Sequence, residues 1–153
     1  LARHELPDAI VAPVVADGRV YAASQSDGVF ALAAADGRVL WNQRTQRIAR
    51  MAWGERLFAF SGDGEAYALD ASTGEVRWHT SMRVGQPTQP VLADGRITVG
   101  AWPGGLVVLD AETGTVTQRL FVGGVASDLA TAGDALAFVN EDDRLYVLRR
   151  HRS

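Results

Sequence analysis

The chain repeats itself. VFALAAADGRVLW (Val29 to Trp41) returns as AYALDASTGEVRW (Ala66 to Trp78) and as LVVLDAETGTVTQ (Leu106 to Gln118). A shortened fourth copy, RLYVLRRHR, runs from Arg144 to Arg152. Leu32, Leu69, Leu109 and Leu148 hold the same place in each copy, at intervals of about 40 residues. A period of that length marks one supersecondary unit stacked on its own copies, because a single unit cannot bury its apolar face alone.

Within each unit apolar residues alternate with a period of two, and Gly, Asp, Asn or Ser cluster between the runs, so the elements are short strands joined by tight turns. In the first unit the strands read Ala12 to Ala16, Arg19 to Ser24, Val29 to Ala34 and Arg38 to Arg44, with turns at Asp17-Gly18, Asp27-Gly28 and Asp36-Gly37. Asp-Gly suits a two-residue hairpin because both types tolerate positive φ. The second unit turns at Gly54-Glu55, Asp63-Gly64 and Thr73-Gly74, and the third at Asp94-Gly95, Gly104-Gly105 and Thr113-Gly114. Four-stranded antiparallel units of this period are the blades of a β-propeller, whereas an immunoglobulin-like sandwich does not repeat its sequence every four strands. The expected organisation is one all-β domain over 1–153, with blades at 12–45, 48–81, 88–120 and 124–153, the last lacking its fourth strand. Residues 1–8 align with a fourth strand, Leu1 matching Leu40 and Ala2 matching Trp41, and so would complete another blade.

Composition narrows the function. A chain of 153 residues has room for about one domain. Its net charge of −3 offers no basic field to neutralise phosphates, which argues against nucleic-acid binding. All fifteen Lys+Arg residues are arginine, which removes Schiff-base and phosphate-loop lysines, and the lack of cysteine removes thiol nucleophiles, disulfides and thiolate metal sites. No apolar run approaches the roughly 20 residues of a membrane-spanning helix. Leu1 follows no initiator Met, so the chain reads as processed or as an excerpt.

Candidates for chemistry are few. His4, His79 and His151 lack ligand spacing, and His79 reads as a solvated strand residue. Asp63-Gly64-Glu65 and Glu141-Asp142-Asp143 fall at hairpin tips without the alternating ligands of a calcium loop. Ser24 and Ser61 have no adjacent base and acid. The reading is therefore of no catalytic residue, no metal site and no bound cofactor.

The run Ala68 to Trp78 resembles the repeat of the pyrroloquinoline-quinone-type, or quinoprotein-like, propellers, with Ala68, Asp70, Thr73, Gly74 and Trp78 filling its five signature places. The first unit keeps Ala31, Gly37 and Trp41 but has Ala33 and Asp36 where Asp and Thr would stand. The third keeps Asp110, Thr113 and Gly114 but has Val108 and Gln118 in place of Ala and Trp. The resemblance implies that Ala31, Gly37, Trp41, Ala68, Gly74 and Trp78 dock neighbouring blades, and that Gln118 and Ala2 give weaker seams. Quinone-binding members resemble a longer chain with acidic and amide calcium ligands and a pair of adjacent cysteines, features this sequence lacks. Such repeats normally close at seven or eight blades, so the resemblance implies half of an eight-bladed ring, completed by a second copy or by missing blades. A closed four-bladed ring is the alternative.

In a propeller the loops between blades and those joining second to third strands share one face. That face would collect Arg47, Arg50, Arg83, Gln86, Gln89, Trp102 and Asn140, residue types suited to a protein partner. The last two units, with Phe121-Val122-Gly123-Gly124 between them, are similar to propeller lipoproteins of outer-membrane barrel assembly. The resemblance thus implies a non-enzymatic scaffold of the bacterial cell envelope, periplasmic or extracellular, binding an envelope protein. An extracellular ligand-sensing propeller of a receptor kinase and a fragment of a quinone-binding quinoprotein are the alternatives.

Overall fold

In the computed structural model, residues 3, 5, 6, 8, 11–45, 47–103, 105–123 and 127–149 are described. Their local structure follows the turn chemistry. Asp17 and Gly18 take φ of 49° and 69°, and Asp94 and Gly95 take 47° and 69°. Both central residues of these hairpins thus have the positive φ that matches the right-handed twist of the flanking strands. The first sheet holds β1 (Val14–Ala16), β2 (Arg19–Ser24), β3 (Gly28–Ala33) and β4 (Val39–Gln43), paired in that order and antiparallel throughout. Its first strand starts at Val14 rather than Ala12, after Pro13, which has no N–H to give a ladder.

The second sheet repeats the meander with β5 (Ile48–Trp53), β6 (Leu57–Ser61), β7 (Glu65–Leu69) and β8 (Val76–Ser81). The third does so with β9 (Val91–Ala93), β10 (Arg96–Ala101), β11 (Gly105–Asp110) and β12 (Val116–Leu120). The fourth sheet has three strands among the described residues: β13 (Ala130–Ala132), β14 (Ala135–Val139) and β15 (Leu145–Arg149). The proposed strand of residues 1–8, with Ala2, lies largely outside the described residues, as do His4, Gly104 and His151.

Three apolar clusters hold the sheets face to face in series. Tyr21, Val29, Ile48 and Leu57 join the first to the second, Phe58, Phe60, Ile97 and Val99 the second to the third, and Leu106 and Phe138 the third to the fourth. Burial is concentrated on the middle strands, while β4, β8 and β12 alternate between partly buried and exposed. Large apolar area is thus buried between blades, the arrangement of a propeller. The chain is all-β, built of antiparallel propeller blades.

Candidate functional site

Each full blade carries a joint on its outer strands. A register shift falls at Ala31/Leu32, Ala68/Leu69 and Val108/Leu109, the same place in three blades, and re-aims the fourth strand just beyond the turn. Next to it stands Trp41 opposite Ala31, and Trp78 opposite Ala68. The alanines are fully buried and leave room for an indole to lean across the strand into the seam.

The receiving surface is the turn of the following blade. Gly74 has φ of 76°, and a Cβ there would lie 2.6 Å from the Trp41 ring; Gly114 has φ of 72°, and a Cβ there would lie 2.5 Å from the Trp78 ring. Only glycine satisfies both the backbone and the ring at these two places. Trp41 Nε1 donates to the Ala71 carbonyl at 3.0 Å, and Trp78 Nε1 donates to the Ala111 carbonyl at 3.0 Å. Thr80 Oγ1 adds a 2.7 Å bond to the Gly114 carbonyl. At Gly37, in the first blade, φ is 74°, but the matching Ala2 is outside the described residues.

Aspartates shape these turns. Asp70 Oδ1 accepts from Ser72 N (2.9 Å), Ser72 Oγ (2.6 Å) and Thr73 N (3.1 Å), and its other oxygen pairs with Arg77. Asp110 Oδ1 accepts from Glu112 N (3.1 Å), Thr113 N (2.8 Å) and Thr113 Oγ1 (2.9 Å). The Ser72 hydrogen bonds, with the Arg77 guanidinium beside them, hold the Asp70 carboxyl far below the usual carboxylate range. Hydrogen bonds from Thr113 lower that of Asp110.

The third seam differs. Gln118, opposite Val108, stands in the tryptophan's register and is exposed. The aromatic rings of the fourth sheet, Phe138 and Tyr146, stack on each other at 5.1 Å rather than across the joint. Polar links supplement the joints elsewhere. Arg56 reaches from the second sheet to Glu112 of the third at 2.6 Å. Arg119 Nη1 donates to the Met82 carbonyl (2.6 Å), and Gln89 Nε2 donates to the Met51 carbonyl (2.9 Å). Arg19, Arg56 and Arg96 each begin or precede a second strand in the repeat register, a signal present in the sequence and not used there.

On the loop face, Arg47, Arg50 and Gln86 border one hollow of about 430 Å³, floored by Gly62 and Pro87. Arg47 has φ of 53° and pairs with Asp63 at 3.2 Å; Arg50 Nη1 donates to the Ala49 carbonyl at 2.8 Å. Arg83 is exposed on the next crossover but does not line this hollow. Gln89 is exposed, yet its amide is engaged by Met51, and its backbone N–H donates to Asp128 at 3.0 Å. Trp102 is 54% exposed, its Nε1 donating to Glu141 at 2.7 Å and its carbonyl lying against Gly85, next to Gln86. Phe121, on the crossover after β12, is 86% exposed, a residue the sequence reading did not place on this face. The loops of these two residues are tied through Asn140, which neighbours Glu141 and donates to the Val122 carbonyl at 3.1 Å.

Asn140 corrects an expectation. It was grouped with the exposed partner-binding residues, but it is 1% exposed. Besides its bond to Val122, its Oδ1 accepts from the backbone N–H of Asp142 (3.1 Å) and of Arg144 (3.0 Å). A buried amide satisfied in this way closes the β14–β15 turn and presents no side-chain atom to a partner.

Other sequence candidates take local roles. Ser24 Oγ and Ser61 Oγ accept backbone N–H groups at their hairpins. His79 Nε2 lies 2.6 Å from Glu65 and its ring stacks on Tyr67 at 4.5 Å.

A family model described as outer membrane protein assembly factor BamB matches residues 3–153. The chain belongs to the BamB family. BamB of Escherichia coli strain K12 is 29% identical over 149 residues, 95% of this chain and 38% of that protein. A quinohemoprotein alcohol dehydrogenase of Pseudomonas putida, ADH-IIG, is 26% identical over 135 residues, 71% of this chain and 19% of that protein. The crystal structure of BamB from Moraxella catarrhalis superposes with a TM-score of 0.74 at 22% identity, covering 90% of this chain and 44% of that one. The chain therefore spans less than half the length of these BamB relatives. Among the described residues no helix is long and apolar enough to cross a membrane.

The dehydrogenase likeness raises a bound quinone with its calcium ion. The residues present do not fit it: among those described, no three His, Cys, Asp or Glu side chains gather as metal ligands, and the chain has no cysteine. Of the carboxylates with depressed pKa, Asp70 spends one oxygen on its own turn and the other on Arg77, and Asp110 turns Oδ1 to its own turn.

Proposed function

We propose that this chain is part of a non-enzymatic propeller scaffold of the bacterial cell envelope, acting outside the cytoplasm in outer-membrane protein assembly and docking an envelope protein on its loop face. The observation that carries the reading is the match to BamB along nearly the whole chain, against partial coverage by the dehydrogenase. The loop face supplies the surface: arginines 47, 50 and 83, the exposed rings of Trp102 and Phe121, and the acidic turn Glu141, Asp142 and Asp143. Exposed aromatic and arginine side chains on anchored loops are the usual anchors of protein partners. Cross-linking in whole cells from a photoreactive residue at Trp102 or Arg50 should capture an envelope protein, and the same residue at Val39, on an outer strand, should not. Capture of only cytoplasmic proteins would refute the reading.

The ring is completed to eight blades by further blades or a second copy. Light scattering on the 153-residue chain checks the second copy, which requires about twice 16.4 kDa.

The dehydrogenase match favours one other reading, a fragment of a quinone-binding protein. Saturable, calcium-dependent binding of the quinone, followed by absorbance, would establish it.

A further inference from the structure

The first strands of the blades are not alike. β1, β9 and β13 have three residues each and pair without a register shift. β5 has six, and its added residues, Ile48, Ala49 and Arg50, extend it at the end away from its hairpin, toward the loop face. There the ladder steps from Ile48–Ser61 to Arg50–Phe60 and leaves Ala49 unpaired. A bulge of this kind bends its strand and re-aims the side chain beside it. Arg50 is that side chain, and with Arg47, Gln25 and Gln86 it lines the hollow of about 430 Å³. Arg47 itself takes φ of 53°, the left-handed region that few residues other than glycine enter. Two departures from ordinary backbone thus bring two arginines to one hollow, and such departures gather where a site is built.

The charges there do not cancel. Asp63 is the one carboxylate among the described residues that line the hollow, and it is paired with Arg47. Arg50 forms no ion pair among the described residues; its Nη1 donates to the Ala49 carbonyl, which leaves the rest of its N–H groups to the hollow. The side-chain amides of Gln25 and Gln86 form no hydrogen bond among the described residues and add further donors to the wall. A guanidinium with amide donors around it suits a carboxylate, which accepts paired charge-assisted hydrogen bonds. The rim also runs on toward apolar surface. Gly85, next to Gln86, lies so close to the Trp102 carbonyl that a Cβ on it would be 2.9 Å from that oxygen, and the Trp102 ring is exposed. An acidic side chain on a segment that passes across the face, rather than a chain end, fits a hollow bordered in this way.

We propose that this hollow seats the carboxylate of an aspartate or glutamate side chain on the docked partner, with Arg50 as its ionic contact. The proposal rests on the scaffold reading and names the chemistry by which the loop face recognises its partner.

Acetyl-glycyl-glutamyl-glycinamide is the probe, titrated into the intact ¹⁵N-labelled protein. Saturable shifts are expected at the amides of Ala49, Arg50, Gly62 and Gln86. The glutaminyl counterpart should bind about tenfold more weakly, the loss expected when one charge-assisted contact goes. Arg50→Gln should weaken the glutamyl peptide by a similar factor and leave the glutaminyl one unchanged. Asp63→Asn, which takes the competing carboxylate from Arg47, should tighten the glutamyl peptide severalfold, a gain that a merely structural role would not produce; it decides the matter alone if Arg50→Gln does not fold. No saturable shift up to tens of millimolar probe, shifts centred elsewhere, equal affinity for the two peptides, or no gain from Asp63→Asn would each overturn the proposal. Tighter binding of acetyl-triglycine, whose carboxylate is a chain end, would overturn the side-chain assignment. The cross-link from Trp102 reports the scaffold reading separately: capture of an envelope protein beside a silent titration removes the carboxylate site and keeps the scaffold, and a saturable titration beside capture of only cytoplasmic proteins does the reverse.

Discussion

The second and third seams join blades of the same repeat by different means. At the second, Trp78 lies on Gly114, donates to Ala111 and contacts Phe58, with ring centroids 5.9 Å apart. At the third, Gln118 leaves a cleft, and the buried part of the cluster reduces to Leu106 and Phe138. The difference shows that blade stacking tolerates loss of the aromatic joint when neighbouring strands stay paired. The joint, rather than the sheet, should then set how firmly two blades hold together. The first two seams should open only with the whole domain, and the third on its own.

The largest test is Trp78→Ala, which should cost about 3 kcal/mol, the low end of the range for a fully buried aromatic, because the ring is partly buried. Urea denaturation followed by circular dichroism measures it, and a loss below about 1 kcal/mol would erase the contrast between the seams. Gly114→Ala should come next, at about 2 kcal/mol, since the added Cβ meets both a positive φ and the Trp78 ring. The matching change at Gly133, where φ is 58° and no atom lies within 4 Å of an added Cβ, should cost only the backbone part, about 1 kcal/mol.

Acid should act on the first two seams before the third. Asp70 and Asp110 have folded pKa values below the reference value of 3.8, so the stability they contribute is complete above that value and is lost as the pH falls below it toward the folded values. Asp70→Asn and Asp110→Asn should therefore flatten the pH dependence of stability below 3.8, and unchanged acid melting curves would remove the aspartates from the account. The smallest effect belongs to Trp102→Ala. Its ring is half exposed and off every seam, so the loss should stay under about 1 kcal/mol; a loss matching that of Trp78 would mean that exposure does not separate the two tryptophans.

The repeat made the blades legible because strand alternation, Asp-Gly turns and the Ala-to-Trp register all recur in phase. The hairpins at Asp17-Gly18 and Asp94-Gly95 follow from composition alone. The loop face was harder. Asn140 reads as polar and loop-borne, but its burial depends on the Val122 carbonyl of a different loop, a contact no local pattern encodes. Phe121 reads as one more apolar residue beside Leu120 and Val122, and its exposure follows from the chain leaving β12 at that point. The arginines at 19, 56 and 96 were visible as a repeat, yet what each one meets differs from blade to blade: Arg56 reaches Glu112 of the next blade, whereas Arg96 lies beside Asp110 of its own.

The placement of the two halves of each joint has an evolutionary reach. A single blade owns both a plug, such as Trp78, and a socket, such as Gly74, and the two sit within four positions of each other on one turn and strand. Duplicating that stretch of gene delivers a new blade whose socket already accepts the plug before it and whose plug already fits the socket after it. Such a protein can lengthen by copying without any compensating change elsewhere.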